Sequence, residues 1–230
     1  MLNRIFNLIF PRICLHCGAN LKSNEDLICA NCSENLVFRK GDLCPKCNAV
    51  LKSNKCEMCD EINYAFDKAF SAFKYSKVIK SLVHSIKYNE MKKVGKFLAV
   101  YMAKYWTNQV NITDIDYVIP VPLHKVKKRM RGYNQAKLIG EHFAKLMNFN
   151  FESSLIKRIN FTKTQTKLTK LQREKNIKNA FEVSNARKIK NKKILIIDDV
   201  FTTGSTVNEI SEILRNFNAD KIYVLTAARA

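Results

Sequence analysis

The chain has 230 residues, enough for one α/β domain plus a small module. Forty basic residues against twenty acidic ones give a net charge of +20, which suits a polyanionic ligand, nucleic acid or an acidic membrane face. No run approaches the roughly 18 apolar residues of a membrane span. Lysine outnumbers arginine thirty to ten and asparagine occurs 23 times, the usage of an AT-rich genome, so the position of the charge matters more than its total.

Residues 2–10 are apolar at helical spacing until Pro11 stops them, and they are too few for a signal core with a small-residue cleavage site. The expectation is a short helix over residues 1–11 packed on the next module; a peripheral membrane or partner contact is the alternative. The chain is expected in the cytoplasm, with a seat at the inner face of the membrane as the variant of that reading.

All eight cysteines fall in residues 12–61 as four C-x-x-C pairs: Cys14/Cys17, Cys29/Cys32, Cys44/Cys47 and Cys56/Cys59. Two intervening residues form a tight turn that aims both thiolates at one tetrahedral metal, and two such turns complete a four-thiolate site. Disulfides fit poorly, because the rest of the chain has no secretory character, and four redox motifs in tandem would be odd. The reading is a double zinc ribbon with one or two structural zinc ions. Sequential pairing puts Cys14, Cys17, Cys29 and Cys32 on one ion and Cys44, Cys47, Cys56 and Cys59 on the other. Crossed pairing and a single occupied site are the alternatives. His16 lies inside a turn as a bystander.

Residues 64–230 read as an α/β domain with a doubly wound, mainly parallel sheet. Residues 64–75 alternate at two-residue spacing, which predicts a strand or hairpin. Residues 78–87 and 91–106 carry helical spacing, the second with a core stripe of Val94, Phe97, Leu98, Tyr101, Met102 and Tyr105. Residues 117–121 follow as a buried strand. Then comes P-V-P-L-H from Pro120, an extended rigid turn in which a cis bond is allowed, with Lys125, Lys127, Lys128, Arg129 and Arg131 behind it as a basic loop. Residues 134–147 make a helix, in which His142 is a surface or core histidine. Residues 157–178 hold eight basic residues and one acid with few apolar anchors, which predicts a mobile loop or partly helical lid. Strands over 193–197 and 221–227 complete the sheet.

The most informative stretch is residues 194–206, I-L-I-I-D-D-V-F-T-T-G-S-T. The apolar run lacks alternation and reads as a buried parallel strand. Asp198 and Asp199 leave its carboxyl end, where open α/β sheets bind ligands. The hydroxyl-rich turn opens a helix over 205–217, whose first backbone N–H groups lack internal partners and so accept an anion. A phosphate at the helix start beside two acids on vicinal hydroxyls describes a ribose 5-phosphate site.

This run resembles the signature of the type I phosphoribosyltransferases. The resemblance implies that Asp198 and Asp199 hold the ribose hydroxyls of phosphoribosyl pyrophosphate (PRPP) and are the candidate catalytic residues. It implies that Thr202, Thr203, Gly204, Ser205 and Thr206 wrap the 5-phosphate, and that Pro122, Leu123 and His124 present backbone groups to the pyrophosphate. Magnesium would accompany PRPP, and residues 157–178 occupy the place of the family's closing loop. Phe201 stands where the family usually has a smaller aliphatic residue.

The full order is cysteine ribbons, P-V-P-L-H with R-G-Y-N-Q, Arg158, T-x-T-K-L with Arg173 and Asn176 before Ala180-Phe181, and then the D-D loop. It resembles the ComF family of double-zinc-ribbon, phosphoribosyltransferase-like competence proteins. That resemblance implies a part in uptake of transforming DNA, with DNA-uptake machinery and single-stranded DNA as partners and phosphoribosyl transfer as the activity in question. The glutamine-using amidotransferases fit poorly, since position 2 is Leu2 and not a cysteine nucleophile. The alternative is a dedicated phosphoribosyltransferase of nucleotide metabolism, acting on a small nitrogen nucleophile with no DNA role.

Overall fold

The computed structural model describes residues 11–160 and 180–230. The expected helix over residues 2–10 and most of the expected lid, residues 161–178, lie outside the described residues. Strands β1 (Lys68–Lys74), β2 (Tyr117–Pro120), β5 (Lys193–Phe201) and β6 (Lys221–Arg229) form one parallel sheet in the order β1-β6-β5-β2. Two three-residue strands, β3 (Ile156–Arg158) and β4 (Phe181–Val183), pair antiparallel beside it. Residues 64–75 therefore give a single strand and no hairpin. The partner of β1 is β6, some 150 residues on, with Ser71 opposite Thr226.

Both faces of the sheet are covered, as buried parallel strands require. On one face, helices α3 (Lys77–Tyr88), α4 (Lys93–Tyr105) and α6 (Gln135–Met147) pack Ile79, Leu82, Leu98, Met102 and Phe143 against Leu195, Ile197 and Leu225. On the other, α7 (Ser205–Asn216) packs Val207, Ile210 and Leu214 against Ile194, Ile196 and Val224. Each such side chain contributes about 1.5–3 kcal/mol on burial. The expected doubly wound, mainly parallel α/β fold is the fold observed.

Three expectations change in detail. First, β5 does not stop at Ile197. It continues through both aspartates to Phe201, because Asp198, Val200 and Phe201 pair in register with Thr226, Ala228 and Arg229 of β6. Second, the basic segment after P-V-P-L-H is helix α5 (Lys125–Arg131). The His124 Nδ1 accepts from the Val126 N–H at 3.2 Å to start it, and Gly132 at φ +76° ends it. Third, no peptide bond among the described residues is cis, so P-V-P turns with trans bonds.

The cysteine ribbons contribute two short helices, α1 (Ala30–Ser33) and α2 (Glu57–Glu61). They pack on the sheet's two opposite faces. Cys14, Leu27, Ile28 and Cys32 join the core under α3 and α4, and Cys44 and Cys47 join the core that holds Tyr64, Phe66 and Phe201. His16 is more than a bystander: its Nδ1 lies 2.9 Å from the Ser81 hydroxyl and docks the first ribbon on α3. His142 is a half-buried residue of α6.

Candidate functional site

Neighbouring parallel strands β2 and β5 end side by side, with Pro120 opposite Ile197 and the Val121 N–H donating to the Ile197 carbonyl at 2.9 Å. The loops that follow therefore leave the same end of the sheet. Asn134 pins the first of them. Its side-chain amide donates to the Val121 carbonyl at 2.9 Å, while its oxygen caps α6 by accepting from the Ala136 N–H at 3.0 Å. Pro122, Leu123 and His124 are each half-buried along this loop.

The second loop is shaped by glycine. Gly204 has φ +78°, a conformation that favours a residue without Cβ. A Cβ there would overlap the Phe201 ring and meet Tyr64 Cε1 at 3.0 Å. Phe201 thus fills the floor of the loop, and Tyr64 holds the loop from beneath by donating its hydroxyl to the Thr203 carbonyl at 2.8 Å. Thr203 Oγ1 and Ser205 Oγ lie 2.8 Å apart at the start of α7, with Thr202 exposed and Thr206 half-buried beside them. The N-cap is Gly204, which has no side chain, so the first turn of α7 opens toward solvent with hydroxyls and backbone N–H groups.

Asp198 and Asp199 follow one another in β5 and so leave opposite faces of the strand. Asp199 is 3% exposed and ion-paired with Lys87 at the end of α3. Asp198 keeps some contact with solvent, and its carboxylate accepts from the Asp199 N–H at 2.8 Å. Burial, and then the adjacent Asp199 charge, raise the Asp198 pKa well above the ordinary carboxylate value, against the pull of Lys87 and that N–H. Burial alone would lower the Lys87 pKa, but Asp199 and then Asp198 outweigh it and raise the value.

Cations from three elements surround this acid pair. Lys127 of α5 is half-buried, and its pKa is lowered by burial and then by Arg158, Arg131 and Lys87. Arg158 of β3 lies over the Phe181 ring at 5.3 Å, within the fields of Glu209 and Asp198; burial lowers its pKa despite them. Mutual repulsion among Lys87, Lys127, Arg131 and Arg158 would be relieved by an anion. Lys125, Lys128 and Arg129, neighbours of Lys127 and Arg131 in the sequence, instead line an outward cleft with Gly132. Arg131 is fixed by donating to Gln135 Oε1 at 2.6 Å.

Sequence reasoning passed over Lys87, Tyr64 and Arg229. Lys87 left a trace: it stands four residues after Val83, on the buried flank of α3, and a lysine there calls for a buried partner. Tyr64 and Arg229 left none, because their partners lie more than 130 residues away in the sequence.

The cysteines form two clusters, Cys14/Cys17/Cys29/Cys32 and Cys44/Cys47/Cys56/Cys59, and the four sulfurs of each lie within 4.8 Å of one another. Cys17–Cys29, Cys44–Cys59 and Cys47–Cys56 sulfur distances are 3.6, 3.7 and 3.4 Å. Zinc–sulfur bonds of about 2.3 Å imply tetrahedral edges of about 3.8 Å, so four thiolates at this spacing fit one zinc ion per cluster. The grouping is the sequential one. With four protein ligands on each ion, both sites are structural.

A doubly wound sheet with a D-D hydroxyl loop at its carboxyl end, joined to two four-cysteine clusters, defines a phosphoribosyltransferase-type domain carrying a double zinc ribbon. The family model of the double zinc ribbon domain matches residues 5–63, and that of the phosphoribosyl transferase domain matches residues 150–230. Competence protein F of Haemophilus influenzae is 37% identical over 135 residues, which span 58% of this chain and 58% of that protein. The DNA utilization protein YhgH of Salmonella typhi is 31% identical over 165 residues, spanning 69% of this chain and 70% of that protein. The chain belongs to the ComF family, together with these proteins. Solved structures that resemble it include the glutamine PRPP amidotransferase of B. subtilis, with a TM-score of 0.37 at 17% identity over 62% of this chain and 26% of that one. Adenine phosphoribosyltransferase of Saccharomyces cerevisiae gives a TM-score of 0.35 at 12% identity, over 61% and 69%. No described helix is long and apolar enough to cross a membrane.

Proposed function

We propose that this protein binds PRPP or a related phosphoribosyl ligand, and that it does so in the service of DNA uptake or utilization. The observation that carries the ligand is the convergence at one sheet end of the Asp198/Asp199 pair, the Thr203–Ser205 hydroxyls at the start of α7, and the cations Lys87, Lys127 and Arg158. In this reading Thr202, Thr203, Gly204, Ser205 and Thr206 hold the 5-phosphate, and Asp198 and Asp199 accept from the ribose hydroxyls. Lys127, Arg131 and Arg158, with backbone groups of Pro122, Leu123 and His124, face the pyrophosphate. The Lys87 ammonium on Asp199 supports a cation seat among these groups. A divalent ion such as magnesium, when bound, would neutralise pyrophosphate charge and favour its departure.

The DNA role rests on kinship with Competence protein F and YhgH and on the basic surface. Phosphoribosyl transfer to a nitrogen nucleophile would use the same groups, with charge at the anomeric carbon stabilised by the acid pair. Isothermal titration with PRPP and magnesium tests the ligand. Wild type is expected to bind, and Asp198→Asn/Asp199→Asn to lose at least about tenfold in affinity. Absence of heat with the wild type, or equal binding by both proteins, refutes the reading. Pyrophosphate release that appears only with an added base or amine would assign turnover.

A further inference from the structure

Arg39 and Arg229 are 7% and 8% exposed, and among the described residues neither guanidinium has a carboxylate within ion-pair distance. A buried charge needs compensation, because its desolvation costs several kcal/mol. Hydrogen bonds supply part of it. Arg39 donates to Asn48 through Nε at 3.2 Å and Nη2 at 2.8 Å, and Arg229 Nη1 donates to the Cys47 carbonyl at 2.7 Å. Those acceptors are neutral. The two guanidinium groups repel each other, and Cys47, next to Asn48 in the chain, is a group whose negative charge acts on both. Arg229 Nη2 lies 3.9 Å from its sulfur. Four thiolates around one zinc ion leave a charge of about −2, which matches two guanidinium groups.

Arg229 also reaches the phosphate loop. Its guanidinium lies 4.4 Å over the Phe201 ring, the ring that a Cβ on Gly204 would overlap. Tyr64 packs edge-on to Phe201, with ring centroids 6.2 Å apart, and bonds the Thr203 carbonyl. On the second ribbon, the Lys46 carbonyl accepts from the Ala69 N–H of β1 at 2.7 Å. A packed chain therefore runs from Cys47 through Arg229 and Phe201 to Gly204. The first cluster sits on the opposite face of the sheet, under α3.

We propose that the second cysteine cluster, loaded with zinc, is the counter-ion of Arg39 and Arg229 and, through Arg229 and Phe201, holds the 202–206 loop in its anion-binding shape. Arg229 is then a positioning residue, and metal loading of this one ribbon sets the affinity of the loop. The affinity part rests on the phosphoribosyl reading; the mechanical part does not.

Hydrogen–deuterium exchange on the full-length, zinc-loaded protein tests it, read on peptides covering residues 202–210. Cys56→Ser/Cys59→Ser disables the second cluster and Cys17→Ser/Cys29→Ser the first, with zinc content expected to fall from two to one per chain in each case. The loop is expected to exchange about tenfold faster when the second cluster or Arg229 (Arg229→Met) is lost, while residues 135–147 stay protected. Loss of the first cluster should leave the loop at its wild-type rate. Equal loosening from either cluster, or none from the second, overturns the proposal. Where loss of the second cluster also exposes residues 135–147, Arg229→Lys and Arg229→Met decide, and unchanged loop rates in both overturn it. Titration with PRPP and magnesium on the same proteins separates the two readings. A wild type that binds no PRPP while its loop still loosens refutes the ligand and leaves the coupling standing. Equal PRPP affinity with and without the second cluster refutes the coupling to affinity.

Discussion

Two aspartates in succession inside a buried strand repel each other, and burial together with that repulsion raises the Asp198 pKa. Its folded pKa is raised above the unfolded value of about 3.9, so across the window above that value the folded protein binds a proton that the unfolded chain has lost. Stability therefore falls as pH rises through that window. If PRPP and a divalent ion bind as proposed, the ribose hydroxyls favour the ionised acid, and binding is coupled to proton release. Titration with PRPP and magnesium in buffers of low and high ionisation enthalpy should report net proton release, and affinity should climb with pH to a plateau. Lys87→Met removes the ammonium that favours the ionised pair, and should move the plateau to higher pH. A flat pH profile with no proton released contradicts this account. The acid pair itself was legible in the sequence, because strand, acids and hydroxyl turn are contiguous. Its partner was not, because Lys87 reaches Asp199 across 112 residues and no local pattern encodes that approach.

At the scale of elements, the β1 edge of the sheet is tied to β6 and α7 by Asp67, just before β1. Its carboxylate accepts from the Ile222 N–H of β6 at 2.8 Å, pairs with Arg215 near the end of α7, and lies 3.3 Å from Lys221. Arg215 in turn donates to the Ala65, Ala219 and Asp220 carbonyls. Burial works to raise the Asp67 pKa, but the Ile222 N–H, Arg215 and Lys221 together lower it. A depressed carboxylate contributes stability that is present above the unfolded value of about 3.9 and lost as pH falls below it. Asp67→Ala should cost about 1–3 kcal/mol at neutral pH, a melting shift of several degrees, and should flatten the acid limb of the stability curve. An unchanged melting temperature and acid limb would show that the tie contributes nothing. Helices with an apolar stripe were legible close to their true ends: residues 78–87 against Lys77–Tyr88, and 134–147 against Gln135–Met147. Helix α5 was not, since none of its residues is buried and prolines precede it. The strands β3 and β4 were too short to show a period, and the parallel pairing of β1 with β6 lies beyond any local window.

Over the whole molecule, charge divides into two populations with different work. Lys87 and Arg158 lie by the acid pair, with Lys127 and Arg131 close to Lys87, whereas Lys125, Lys128 and Arg129 are exposed on the outer side of α5, beside Val126 and the 82%-exposed Met130. Tyr88, 65% exposed, has its ring under the Arg131 guanidinium at 5.5 Å. If the protein handles DNA directly, single-stranded DNA should bind with a steep salt dependence, each neutralised phosphate adding about −0.7 to the slope of log affinity against log salt. Lys125→Gln/Lys128→Gln/Arg129→Gln removes three such charges and should flatten that slope by about 2. Fluorescence anisotropy across a salt series measures it. A triple variant with the wild-type slope moves the contact elsewhere. A wild type with no salt-dependent binding at all assigns the DNA role to a partner, leaving the net charge of +20 to composition and to the phosphoribosyl site alone.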